Sequence, residues 1–133
     1  MPVATYHGSL SLLHLHEALG FLVAGALFVF FLYGVVLLIR KREAGRVYYR
    51  ALRVLEIGLG LEMLAGIPLF FLGGRPTILH YGYGGLFPII IMVIAHNLTR
   101  GLIKPPYHVF LTIGAFLVFG LSVRAVMTGL GLP

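Results

Sequence analysis

The sequence predicts an all-α membrane protein: a four-transmembrane-helix antiparallel bundle with the N and C termini both outside. Three observations carry that expectation. Four apolar stretches run through the 133 residues, at about Leu10–Ile39, Leu52–Leu72, Ile78–Leu98 and Val109–Met127. Charged residues make up 11% of the chain against a hydrophobic content of 59%. A soluble domain carries roughly 25% charge, so lipid is the expected solvent. The basic residues, finally, gather in the connections rather than along the stretches. A chain of this length is one domain, residues 1–133.

Each stretch is near or above the roughly 20 residues that a helix needs to cross a ~30 Å hydrocarbon core. Backbone polar groups must be satisfied within the segment in lipid, so the stretches are read as helices. The first is too long for the apolar region of a signal peptide and lacks a convincing small-residue cleavage site. The first connection, Arg40–Arg53, holds Arg40, Lys41, Arg42, Arg46, Arg50 and Arg53 against one acid, Glu43. The second, Gly73–Thr77, holds only Arg75, and the third, Thr99–Pro106, holds Arg100 and Lys104. Positive connections stay in the cytoplasm, which places both termini outside. The net charge of +6 is therefore a topology signal and not a nucleic-acid patch. Short connections imply antiparallel neighbours. Gly20, Gly25, Gly58, Gly66, Gly114 and Gly120 permit close helix approach, and Pro68 and Pro88 are expected to kink helices two and three.

Helices one and three open on similar words. Helix one reads Leu15-His16-Glu17-Ala18-Leu19-Gly20, and helix three reads Leu79-His80-Tyr81-Gly82-Tyr83-Gly84. Each has Leu-His, three residues and a glycine. His16 lies 24 residues before Arg40 and His80 lies 20 before Arg100. At 1.5 Å per residue both sit roughly 30–36 Å above the inner boundary, near the outer end. Histidines in membrane helices are rare and usually face the bundle interior. Two at one level can clamp a haem iron from opposite sides. Gly20 and Gly84, one turn beyond each histidine, would leave room for the flat macrocycle. Arg75 and Arg124 are the outer basic residues available to its propionates. The bland alternative is that His16 and His80 are interfacial histidines bonded to water or backbone.

His14 competes with His16, but two positions apart on a helix they point about 200° from each other. His16 is preferred, because Ala18 rather than glycine follows His14 by one turn. His7 precedes the helix. His96 and His108 flank the third connection and are expected to be inner-surface histidines. Glu62 lies roughly 13 Å beyond Arg53 toward the membrane interior. A carboxylate there is costly, so it serves as a proton relay, a neighbour of the cofactor, or a hydrogen-bond partner of an adjacent helix. Glu56 is expected to pair near the inner interface with Arg53. Glu17 points about 100° away from His16, toward the outer vestibule or a second subunit. With no cysteine in the chain, disulfides, thiolate metal sites and covalently attached haem are excluded. Any haem, b or o type, is non-covalent.

Leu15-His16 through Gly20, Leu79-His80 through Gly84, and the 64-residue spacing between the histidines resemble haem A synthase. The compact form of that family, one four-helix unit, is the closer parallel. The resemblance implies His16 and His80 as iron ligands, a prokaryotic inner or plasma membrane, self-association or a respiratory-complex partner, and oxidation of the methyl group of haem O toward haem A. Departures exist: Glu17 stands where the family often has arginine, and Leu13 where it often has a catalytic glutamate. Glu17 or Glu62 would then handle protons. A b-type cytochrome electron carrier and a haem-free accessory subunit of a respiratory complex are the other function classes that fit.

Overall fold

A computed structural model describes residues 3–72 and 76–132, with side chains from residue 10 onward. It is all-helical. Helix α1 spans Val3–Ile39, α2 Arg46–Phe71, α3 Ile78–Tyr81, α4 Phe87–Arg100 and α5 Val109–Gly129. Helices α3 and α4 are joined without a break by a π-helical turn, Gly82–Leu86, and form one span. Four helical spans, Leu10–Ile39, Arg46–Phe71, Ile78–Arg100 and Val109–Gly129, are therefore long and apolar enough to cross a membrane. Their outward faces carry large apolar side chains, such as Leu22, Val54 and Ile94, all exposed.

The spans alternate in direction. At one end His16 of α1 meets Gly66 of α2, and His80 of α3 meets Gly129 of α5. At the other, Phe30 of α1 and His108, just before α5, both stack on Tyr48 of α2. Helix α5 is the centre of the packing, lying along α1 on one side and along the α3–α4 span on the other, while α2 packs chiefly on α1. Aromatic pairs Phe28–Phe119 and Phe31–Phe116 line the α1–α5 seam at 5.1 and 4.8 Å between ring centres. Small residues set the closest approaches. A Cβ on Gly114 would stand 3.0 Å from the Ala95 methyl, and one on Gly34 would collide with the Thr112 side chain. Without a hydrophobic drive between helices in lipid, such contact and internal hydrogen bonds hold the bundle.

Two boundaries differ from the sequence reading. Helix α2 begins at Arg46, not at Leu52, and takes three arginines into its first turns. Long arginine side chains reach back to an interface, so they do not mark a helix end as an apolarity count assumes. The third span contains a π turn because Pro88 has no N–H to give the Gly84 carbonyl. The ladder changes register, and the Phe87 N–H reaches the Gly82 carbonyl five residues back. Among the glycines expected at helix contacts, Gly25 and Gly120 have open space where a Cβ would go. Gly34, absent from that expectation, is the tightest.

The end near Tyr48 holds a buried polar network. The Tyr48 hydroxyl donates to Thr112 Oγ1 at 2.9 Å, and Thr112 donates in turn to the His108 carbonyl at 3.0 Å. His108 is completely enclosed, and neither ring nitrogen has a hydrogen-bond partner. The nearest charge is Glu43, 4.0 Å from Nδ1. The surface position expected for His108 is thus corrected: the connection before α5 tucks the ring beneath Tyr48. His96 is half-exposed, donates from Nδ1 to the Met92 carbonyl, and sets Nε2 3.4 Å from Glu56. Glu56 meets His96 of a neighbouring span rather than Arg53.

Two outcomes follow from this packing. Gly34→Ala should destabilise the protein by about 1–3 kcal/mol, because Thr112 is pinned by two hydrogen bonds and cannot step aside. Gly25→Ala should be nearly neutral, and thermal unfolding in detergent compares them. Burial pushes the His108 imidazole below its ordinary range, against the smaller opposing pull of Glu43. The unfolded chain then takes up a proton before the folded one, so stability should fall as pH drops through about 6.5. His108→Phe should flatten that slope. An unchanged acid slope in His108→Phe would assign it to other groups.

Candidate functional site

The site grows from the packing pattern. Because α2 leans on α1 and the α3–α4 span leans on α5, a gap opens between α2 and the third span. Side chains bridge it at intervals: Phe70 against Tyr81 at 5.8 Å between rings, and Met63 against the backbone at Gly85. The gap is a cavity of about 1240 Å³. Ordinary ligand pockets hold roughly 300–1,000 Å³, so this one takes a large ligand. Its walls are mostly apolar, with Leu10, Ile67, Phe70, Leu86 and Ile89 among them.

Two imidazoles meet at this cavity. The rings of His16 and His80 have centres 6.0 Å apart and planes inclined at 76°. Each is seated by a glycine of another helix. A Cβ on Gly66 would lie 3.3 Å from His16 Cε1, and one on Gly129 would lie 3.0 Å from His80 Cε1. His80 Nδ1 donates to the Ala125 carbonyl of α5 at 2.8 Å. A carbonyl only accepts, so Nδ1 carries the proton and Nε2 keeps its lone pair. Such a bond is the usual outer support of a metal-binding histidine. The π turn immediately after α3 gives His80 an angular position that an unbroken helix through Pro88 would not. His16 Nδ1 is buried and makes no well-formed hydrogen bond, the Glu62 backbone being the polar group nearest to compensating it.

With their ring centres 6.0 Å apart, the two imidazoles are close enough for one bound group to touch both. Among the described residues no group of three or more histidine, cysteine or carboxylate side chains is arranged to hold a metal ion. A bare ion would therefore lack ligands. A metal that brings its own equatorial donors needs only an opposed pair.

The remaining predicted residues divide by place. Glu62 lines the cavity and is 8% exposed, and a Cβ on Gly20 would stand 3.0 Å from its Oε1. Gly20 therefore admits the Glu62 carboxyl. Gly84 also lines the cavity, but a Cβ there would meet Ala125 at 3.4 Å, so it serves the contact with α5 as well. Glu17 stands at the cavity mouth with Oε2 3.5 Å from His14 Nδ1. His14 is 74% exposed at its side chain and does not line the cavity. Arg124 is half-buried on α5 and is not among the cavity-lining residues. Arg75 lies outside the described residues. Sequence reasoning missed Gly66, Gly129 and the Ala125 carbonyl, which seat the rings. Of these only Gly66 had a signal, as one glycine among many. No protein-family model, no curated protein and no solved structure matches the chain.

Proposed function

We propose that this chain is a multi-pass membrane haem protein of the haem A synthase kind. A non-covalent haem is held between His16 and His80, and its ring methyl is oxidised toward the formyl group of haem A for respiratory oxidases. The observation that supports this reading is the opposed imidazole pair, 6.0 Å apart at an apolar cavity, with the lone pair of His80 Nε2 kept free by Ala125. His16 and His80 are the residues that would hold the group, which would supply a redox-active iron when bound.

The chain's own groups supply the rest. His16 and His80 fix the ligand from two different spans. The apolar wall excludes water. Glu62, buried beside Gly20, would hold or move a proton at the cavity wall, and Glu17 with His14 would pass protons at its mouth, while dioxygen supplied from outside would take up the electrons and furnish the oxygen of that oxidation. Arg75 and Arg124 are the basic residues proposed to meet the propionates; Arg124 adjoins the cavity-lining Thr128. The basic connections support a cavity end that faces outward in a prokaryotic plasma membrane, with both termini outside.

A b-type electron carrier is the second reading, favoured by one specific feature. With His16 and His80 both holding the iron, it would have little room to bind a reactant, and among the described residues Glu17 and Glu62 are the carboxylates that line the cavity. Extraction of the bound haem from protein expressed with haem O separates the two. Conversion of the porphyrin methyl supports the synthase, and unchanged haem b the carrier. His80→Ala should lower haem retention about tenfold or more, whereas His108→Ala should keep it. Equal retention in both variants would sink the ligand assignment.

A further inference from the structure

The end of the bundle opposite the cavity carries a concentrated positive charge. Arg40, Lys41 and Arg42 follow α1, and Arg46, Arg50 and Arg53 occupy the first turns of α2; all six are exposed. Arg100 and Lys104 add to the same end from the connection before α5. Among the described residues no ion pair engages any of these eight side chains. The two acids at this end are turned elsewhere. Glu43 lies by His108 and accepts the Tyr107 N–H at 3.4 Å, and Glu56 lies by His96.

Topology alone asks only that positive charge lie on one side. It does not ask for a stripe. Arg46, Arg50 and Arg53 are spaced four and three apart, so they share one face of α2. They also stand at a helix start, where the peptide dipoles oppose cations, and no acidic residue occupies that first turn. Arg40, Lys41 and Arg42, by contrast, sit where a helix end favours cations. Seven residues of helix rise about 10 Å, somewhat more than a headgroup layer. Arg46 is then level with phosphates, and Arg53 reaches them by extending from the acyl boundary.

We propose that this stripe is a binding surface for anionic phospholipid headgroups, with Arg46, Arg50 and Arg53 gripping lipid phosphates and Arg40, Lys41 and Arg42 widening the positive field. Guanidinium forks match phosphate oxygens in pairs, which suits arginine over lysine here. An arginine that grips a headgroup directly is worth up to about a fivefold change in affinity for anionic lipid, and a basic residue away from the stripe much less. The surface is independent of the haem reading.

The test reconstitutes the full chain in nanodiscs of phosphatidylcholine containing a minor fraction of phosphatidylglycerol, then counts retained lipid by native mass spectrometry. Phosphatidylglycerol should be enriched about tenfold over phosphatidylcholine, and high salt should reduce the enrichment. The variant Arg46→Gln/Arg50→Gln/Arg53→Gln should fall to near parity, while Arg100→Gln should stay within about twofold of the parent. The corresponding triple lysine variant keeps the charge, and thus the insertion, and should retain most of the preference. No enrichment in the parent, full enrichment in the glutamine variant, or loss of enrichment in the lysine variant would each overturn the proposal. So would an acidic polypeptide found seated on the stripe in place of lipid.

Discussion

The close contact of α5 with its two neighbours is the constraint on which the rest depends. Gly34 lets Thr112 press against α1, and Gly114 lets Ala95 press against α5. Helix α5 therefore sits deep between α1 and the α3–α4 span. With α2 resting chiefly on α1, only scattered contacts such as Phe70 on Tyr81 bridge the space between α2 and the third span, and the cavity is the consequence. Thr112 also ties the seam to Tyr48 and to the His108 backbone, so the seam and the buried polar network share one residue.

From that packing the imidazole pair follows. His80 is aimed by a π turn that Pro88 imposes and is held by a main-chain carbonyl of α5. His16 comes from α1 and rests on Gly66 of α2. All four spans thus contribute to one pair of rings. This is a preorganised arrangement, and in lipid, where an unsatisfied nitrogen is expensive, a buried His16 Nδ1 without a well-formed hydrogen bond is a cost that a ligand-binding role would explain. The same logic separates the two ends of the molecule. One end gathers histidines and Glu62 around an apolar space, and the other gathers unpaired arginines outside it.

Much of this was legible in the sequence. Four helical spans, their antiparallel succession and the nearness of His16 to His80 follow from apolar length, short connections and a repeated Leu-His word. Other features were not legible, for physical reasons. The start of α2 was misplaced because arginine at an interface behaves as an amphipathic side chain. The burial of His108 depends on how one connection folds beneath Tyr48, a non-local event. Gly66 and Gly129 could not be told from other glycines, since their role is defined by rings on other helices. Arg124 is at the right end of the molecule and accepts a hydrogen bond at its carbonyl from the cavity-lining Thr128, but is not itself among the lining residues.

The most direct test of the central proposal is the absorption spectrum of the purified protein, oxidised and dithionite-reduced, after expression with ample haem. Sharp reduced bands of a six-coordinate low-spin haem are the result the proposal predicts, since His16 and His80 would both hold the iron. A colourless protein, or one whose haem is five-coordinate and high-spin, would contradict the clamp formed by His16 and His80.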